Sequence, residues 1–358
     1  MVRFNAGGQC IRCWPPKVKV ARVTRNAIEI AAVLIVRNEE RCISRCLTSV
    51  APWVDRIVML DTGSTDDTVA IAQGLGAEVH HLPWPDSFAE ARNHALALAD
   101  ADWNLIIDAD EWIIDGGEGL RDWCESATDR LGCPCIHNEA EGATVQRSWM
   151  TRVIPRGVLY AGRVREQVVS VLPRYRVALD IGHDGDLAPQ LERKKDRYAP
   201  LLLADLADQP ESPYLLYQVA KDAQMRGDHV SACDYYAQAL DTTPSEANWR
   251  HDLVINALNQ FVRSGHLQAA LTIADTEMSH WARSPDFYFV MGDLFLEAAT
   301  AEPQRALDHW LPLAESAWER CLSIGERPDL EGSVAGRGSH LAQHNLDVLR
   351  SQRATLAA

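Results

Sequence analysis

Three carboxylates, Asp108, Asp110 and Glu111, stand directly behind an apolar run in the stretch IIDADEW, residues 106 to 112. An ordinary turn needs one acid at most, which leaves the others for chemistry. Carboxylate oxygens are hard ligands, and two of them spaced as Asp108-x-Asp110 suit Mg²⁺ or Mn²⁺, with a bound phosphate completing the shell. Two other polar clusters also follow apolar runs: Arg37, Asn38 and Glu39 after IEIAAVLIV, and Asp61, Thr62, Gly63 and Ser64 after DRIVMLD. The rival reading is local: Asp108 caps a turn, Asp61 caps a helix near Thr65, Arg92 pairs with Glu90 or Asp86, and Asp110 and Glu111 are solvated. None of the three clusters carries the G-x-G-x-x-G phosphate fingerprint, so a dinucleotide nest is disfavoured and a diphosphate would need a cation.

The elements that must position these residues alternate. IEIAAVLIV (28–36), DRIVMLD (55–61), AEVHHL (77–82) and WNLIID (103–108) read as buried strands. Between them run helical patterns, one with Cys42, Ile43, Cys46, Leu47 and Val50 on one face and one opened by a Ser87/Glu90 capping box. Single helices between strands imply right-handed crossovers and a mostly parallel sheet with helices on both faces. In such sheets ligands sit beyond the carboxyl ends of the strands, where all three polar clusters fall. After about residue 195 the strands cease. The stretch 214–244 places Gly227, Ala232, Tyr236, Ala239 and Pro244 at the spacings of a tetratricopeptide-type helix pair, with degraded copies marked by Gly265 and Ala270 and by Ala306. Residues 331–338 are glycine-rich and expected to be irregular, ahead of a last helix at 340–350. The expected organisation is a basic tail (1–27), an α/β domain (28–192) and an all-α tetratricopeptide-like domain (193–350).

The chain has 358 residues, and 35 Lys and Arg against 50 Asp and Glu give a formal charge of -15. That balance repels phosphate backbones and argues against a nucleic-acid partner. Apolar runs fall far short of the ~20 residues of a transmembrane segment. The first 26 residues carry Arg3, Arg12, Lys17, Lys19, Arg22 and Arg25 and no acid, without the apolar core of a secretory signal. This reads as a loosely docked tail, or as a contact to acidic lipid or substrate. The nine cysteines are expected to stay reduced in a cytoplasmic protein. Cys10-x-x-Cys13 with Cys133-x-Cys135 is a weak zinc alternative, and Cys42 and Cys46 read as small buried hydrophobes.

The segments AAVLIVRNEE, VDRIVMLDTGSTDDTVAIA, WPDSFAEARNHALA and LIIDADEW, in order over residues 31 to 112, resemble family 2 glycosyltransferases with the GT-A fold. More narrowly, they resemble the branch in which the catalytic domain precedes tetratricopeptide-like helices. The resemblance implies a metal-dependent, inverting, hexosyltransferase-type enzyme that uses a nucleotide-sugar donor, expected to be a UDP-sugar. Its acceptor would be a glycan, a lipopolysaccharide or other lipid-linked sugar, or a peptide. It also implies that Asp61 contacts base or ribose, that Arg37, Asn38 and Glu39 shape that pocket, and that Arg92 lies near base or phosphate. Asp108 would face ribose or metal and Asp110 would be the principal ligand of Mn²⁺ or Mg²⁺. In GRVREQV (162–168) related enzymes place a His-Glu pair; here Arg165-Glu166 stands instead, and Glu166 is the candidate base. Its rival role is an ion pair with Arg163 or Arg165, either of which could stabilise the departing diphosphate. His183, in DIGHDGD, falls where relatives have a metal-side histidine. The helical array would present a concave surface for a peptide or pair with a second copy. Two other classes fit parts of the pattern: a sugar-phosphate nucleotidyltransferase, and a non-catalytic tetratricopeptide-type interaction protein.

Overall fold

The computed structural model describes residues 28–126, 129–139, 145–185 and 198–357. The basic tail and the boundary expected at 192/193 lie outside them. The first half opens as β1 (Ile30–Val36), α1 (Ile43–Val50), β2 (Arg56–Asp61), α2 (Thr68–Gly74), β3 (Glu78–His81), α3 (Phe88–Ala99) and β4 (Trp103–Ile106). The four strands pair in parallel in the order β3-β2-β1-β4. Their continuous apolar runs follow from burial on both faces. Ala32, Leu34 and Met59 pack with Ile43, Cys46 and Leu47 of α1 and Ala72 of α2 on one side. Ala31, Val33, Val58 and Leu60 pack with Ala91, Ala95 and Ala99 of α3 on the other.

Beyond β4 the sheet becomes mixed. β5 (Glu111–Asp115), α4 (Leu120–Ser126), β6 (Leu131–Glu139), β7 (Val145–Trp149) and β8 (Val153–Pro155) follow, then a separate hairpin of β9 (Leu159–Ala161) and β10 (Gln167–Val169), then β11 (Arg174–His183). β8 runs antiparallel to β4 and to β6, β6 antiparallel to β7, and β11 parallel to β6 but antiparallel to β5. The parallel expectation therefore holds for the four strands joined by helical crossovers, whereas the later part is mixed, with β5, β7 and β8 in antiparallel ladders and β6 parallel to β11.

The second part of the chain is α5 (Ala199–Asp208), α6 (Pro213–Arg226), α7 (His229–Thr242), α8 (Arg250–Arg263), α9 (Leu267–Glu277), α10 (Pro285–Ala301), α11 (Leu311–Ile324) and α12 (His340–Ala357). Gly227 and Gly265 end α6 and α8 at φ 78° and 74°, the left-handed geometry that glycine adopts without a Cβ penalty. Ala232, Tyr236, Ala239 and Ala270 are fully buried between helices, and the Tyr236 hydroxyl donates to Gln224 Oε1 at 2.6 Å. Ala306 instead begins a π-turn, Ala306–Trp310, ahead of α11.

The glycine-rich segment is not wholly irregular. Ser333–Val334 forms β12, antiparallel to β7. Around it Arg176 donates to the Asp329 carbonyl at 2.6 Å, the Trp149 amide donates to Glu331 Oε2 at 3.1 Å, and His251 Nδ1 meets the Glu331 carbonyl at 2.6 Å. A strap from the helical part thus completes the sheet edge. The last helix also outruns its expected end at Arg350. Among the described residues no helix is long and apolar enough to cross a membrane.

Candidate functional site

The register of β1 with its neighbours brings the polar clusters to one sheet edge. Asp61 lies beside Val36 in the ladder, and the Ile107 amide reaches the Val33 carbonyl at 3.3 Å, so Asp108 emerges at the same end. Asp61 is buried, and its carboxylate accepts from the Gly63 amide at 3.2 Å, the Ser64 amide at 3.1 Å and His81 Nδ1 at 3.2 Å. Burial opposes its charge, but Ser64, His81 and the Gly63 amide hold the carboxyl below its ordinary value. It therefore closes the turn after β2 rather than capping α2, which starts at Thr68. Asn38 adopts a left-handed φ of 57°. Its amide donates to Ser64 Oγ at 2.9 Å and its Oδ1 accepts from the Thr65 amide at 2.7 Å, while the Glu39 amide donates to Thr68 Oγ1 at 2.8 Å. Arg37 is exposed at the mouth of this loop pair.

Beside them runs a chain of alternating charges. Glu166 Oε1 accepts from Arg92 Nε at 2.8 Å, and Arg92 Nη2 reaches Asp108 Oδ1 at 3.3 Å. Asp108 Oδ2 accepts from Arg152 Nη2 at 2.8 Å, and the same nitrogen donates to Glu111 Oε1 at 2.6 Å. Glu111 Oε2 closes the series by accepting from the Asp108 amide at 2.8 Å. Arg92, Arg152 and Glu111 are buried, whereas the Asp108 side chain keeps 36% of its surface exposed toward the cleft. The two neighbouring acids are driven apart. Burial opposes the charge of Asp108, but Arg152 and Arg92 hold it well below the usual carboxylate range. Burial pushes Glu111 up, against the pull of Arg152. Arg92 thus pairs with Glu166 and Asp108, not with Glu90 or Asp86, and Glu166 pairs with Arg92, not with Arg163 or Arg165. Arg163 is held by Asp205 and Asp208 at 2.7 Å each, its charge spent on α5. Arg165 lies over the Tyr198 ring.

Asp110 is buried one residue past Ala109, and its Oδ2 lies 3.5 Å from His183 Nε2. The ladder sets this approach by pairing His183 with Glu111 across β11 and β5. His183 Nδ1 meets Asn138 Oδ1 at 3.0 Å, a contact in which Nδ1 donates and which turns Nε2 toward Asp110. Next along the chain, Asp184 accepts both Arg41 nitrogens at 2.9 Å and Arg45 at 2.6 Å. Arg45 stacks 3.7 Å above Trp112, whose ring lies so close over Gly182 that a Cβ there would sit 2.4 Å away. A carboxylate oxygen and an imidazole nitrogen this close, with the imidazole already oriented, are a donor pair suited to Mn²⁺ or Mg²⁺.

The structure thus gathers Glu166, Arg92 and Asp108 in one network, sets Asp110 against His183 beside it, and leaves Arg37, Asn38, Glu39 and Asp61 along the same edge. Sequence reasoning missed Arg152, Asn138, His81 and the Arg41–Asp184–Arg45 lock. A lone arginine ahead of the short apolar run Val153–Ile154 was the available signal for Arg152, and the Arg41/Arg45 spacing on one helical face was that for the lock. Of the four-thiolate zinc set only Cys133 and Cys135 fall within the described residues, and Cys133 meets Thr151 Oγ1 at 3.5 Å.

A sheet whose first four strands are parallel, with acids at their carboxyl ends and no glycine nest, defines an α/β domain with an acidic strand-end edge. Residues 31–118 match the family described as glycosyl transferase family 2, and the helices from Ala199 onward follow that matched stretch and the rest of the sheet. A TPR repeat-containing protein of Synechococcus elongatus is 30% identical over 68% of this chain and 64% of its own length. An uncharacterized glycosyltransferase of Rickettsia felis is 45% identical over 23% of this chain and 29% of its own. The SPbeta prophage-derived glycosyltransferase SunS of Bacillus subtilis is 25% identical over 62% of this chain and 56% of its own. In none of the three does the match reach two thirds of the relative's length.

Proposed function

We propose that this chain is an inverting glycosyltransferase that moves a sugar from a nucleotide-diphosphate donor, a UDP-sugar, to a glycan, lipopolysaccharide or peptide acceptor. The observation that carries the reading is the pairing of Asp110 with an oriented His183 at the strand end, beside the Glu166–Arg92–Asp108–Arg152–Glu111 chain. Asp110 and His183 would hold Mn²⁺ or Mg²⁺. When bound, the cation supplies charge neutralisation for the leaving diphosphate. Asp108, fixed by two guanidinium groups and exposed on one side, accepts from ribose hydroxyls. Each of its oxygens keeps a lone pair beyond its one arginine bond, so the same carboxylate can also share the metal with Asp110. The buried Arg92 Nη1 has no hydrogen-bond partner among the described residues, and a phosphate oxygen would satisfy it. Asp61, with Asn38 and Glu39, borders the base and ribose pocket, and Arg37 lies at its mouth.

Glu166 is the proposed base. Displacement with inversion needs a proton acceptor on the face opposite the leaving group, within hydrogen-bond reach of the acceptor nucleophile. The loop that carries Glu166 is gripped from the helical part: the Arg163 amide donates to Asp205 Oδ2 at 2.7 Å, and Gln167 Nε2 donates to the Tyr214 hydroxyl at 2.7 Å. The helices therefore take part in setting the acceptor side, as well as offering a surface to a peptide or a second copy. A nucleotidyltransferase is disfavoured because the amides of Asn38 and Glu39 are already bonded to Ser64 and Thr68 and cannot cradle a triphosphate.

The test is release of nucleoside diphosphate from a panel of nucleotide sugars with Mn²⁺, with glycan, lipopolysaccharide and peptide acceptors in separate arms. Metal-dependent release that collapses in Asp110→Asn supports the reading. Consumption of a nucleoside triphosphate with a sugar phosphate would replace it with nucleotidyl transfer.

A further inference from the structure

Away from the acid edge, one face of β6 carries a second constellation. Cys135 and His137 stand two residues apart on that strand and so project to the same side. Asp180 of β11 is the ladder neighbour of Cys135. It also sits at a register shift in both of its ladders, between Arg176 and Asp180 against β6 and between Asp180 and Ile181 against β5. Such irregularities re-aim a side chain relative to the pleat. One ligand atom from each of the three residues lies within 4.8 Å of the other two, and His137 Nε2 is 3.2 Å from Asp180 Oδ1.

We propose that Cys135, His137 and Asp180 form a binding site for a zinc-like divalent cation, separate from Asp110 and His183. Tetrahedral Zn²⁺ with bonds of 2.0 to 2.3 Å needs ligand atoms about 3.3 to 3.8 Å apart. The His137–Asp180 edge is already near that length, and a small side-chain rotation brings the thiol in. The donor set differs in kind from the acid edge. Sulfur with imidazole and carboxylate favours Zn²⁺ or Co²⁺, whereas a site without thiolate, filled out by oxygen ligands, accepts Mn²⁺. Cys135 is 3% exposed, so the soft ligand comes from the protein interior. Asp180 is 44% exposed and lines an open depression of about 300 Å³ with Asp115, Glu118 and Ala178. That depression brings solvent and ions to the Asp180 side of the three residues. Two of its other residues are acids, which raise the local cation concentration. The ion would pin β6 to β11 just before Asn138 and His183.

The experiment is a cobalt titration of the metal-stripped full-length chain with Cys10 and Cys13 replaced by serine, followed by zinc competition. A thiolate-to-cobalt charge-transfer band that saturates at one thiolate-bound Co²⁺ per chain and is displaced by Zn²⁺ is the expected result; cobalt held by Asp110 and His183 adds no such band. Cys135→Ser should abolish the band and His137→Gln should weaken cobalt binding roughly tenfold or more. Asp110→Asn should leave the band intact. His137 is partly exposed, so its variant should fold even if the buried cysteine variant does not; metal-free thermal melts check this. A parent protein without the band, a band that survives Cys135→Ser, or unchanged affinity in His137→Gln would each overturn the site. None of these readouts depends on sugar transfer.

Discussion

At the scale of residues, the site works by giving similar groups different environments. Asp108 and Glu111 share Arg152, yet one is held ionised at the cleft and the other is buried against the strand end. Arg152 is therefore the residue whose loss should be felt most in stability. Arg152→Met leaves Glu111 buried without its cation, and removal of one partner of a buried pair costs about 3 kcal/mol or more. Denaturant unfolding should show a midpoint shift of that size with an unchanged slope. A shift below about 0.5 kcal/mol would mean that water reaches the pair. Asn138 acts differently: its Oδ1 orients His183, while its Nδ2 holds the Gln146 carbonyl at 3.4 Å and Ser148 Oγ at 3.3 Å on β7. Asn138→Ala should weaken Mn²⁺ binding roughly 10- to 100-fold with little change in folding stability, as is usual when the partner of a ligating imidazole is removed. Calorimetric metal titration checks it.

At the scale of elements, strand order and register decide which residues meet. The four parallel strands and the helices between them were readable because each buried run is apolar throughout and each helix shows a one-sided stripe. The acids at the strand ends were readable for the same reason. Arg152, Asn138 and Asp184 were not, because β8, β6 and β11 reach the site through long-range pairings that no local pattern encodes. The Glu166 loop was visible as a sequence but not its grip on Arg92, which depends on where β9 and β10 fold back. The strap at Ser333–Val334 was hidden by glycines that suggest irregularity, although two residues suffice to extend a sheet edge. Gly182 shows what such pairings demand. Gly182→Val would drive a side chain into the Trp112 ring, displacing the surface on which Arg45 stacks and tilting the neighbouring His183. Overpacking of this kind costs about 1 to 3 kcal/mol. The variant should melt earlier, shift tryptophan fluorescence, and bind Mn²⁺ less well; wild-type melting and emission would show that the ring can move aside freely.

At the scale of the whole molecule, the joints between the helical part and the sheet include the clamp on the Glu166 loop, the strap that pairs with β7, and Gln146 Nε2 of β7 donating to Asp252 Oδ1 at 3.3 Å. The strap carries a pH dependence. Burial pushes the Glu331 carboxyl up from 4.5 to about 7, with the Trp149 amide pulling it down and Asp252 adding to the rise. A carboxyl raised on folding binds its proton more tightly in the folded chain. Its contribution is complete below the ordinary value of 4.5 and is lost as pH climbs through about 7. Stability should therefore fall between about pH 5 and pH 8 by up to about 3 kcal/mol, and Glu331→Gln should flatten that slope. Chemical unfolding across pH compares the two, and parallel slopes would remove Glu331 as the cause. Under the proposed function the joint between the parts matters because the strand end, the loop and the helices would together present one donor and one acceptor. The donor side is the heart of the account, and calorimetric titration of UDP into the full-length chain, with and without Mn²⁺, probes it directly. UDP should bind with Mn²⁺ and at least roughly tenfold more weakly without it, a difference of about 1.4 kcal/mol, and Asp110→Asn should erase the metal's effect. Equal affinity in the presence and absence of metal, or an Asp110→Asn chain that still responds to Mn²⁺, would contradict it.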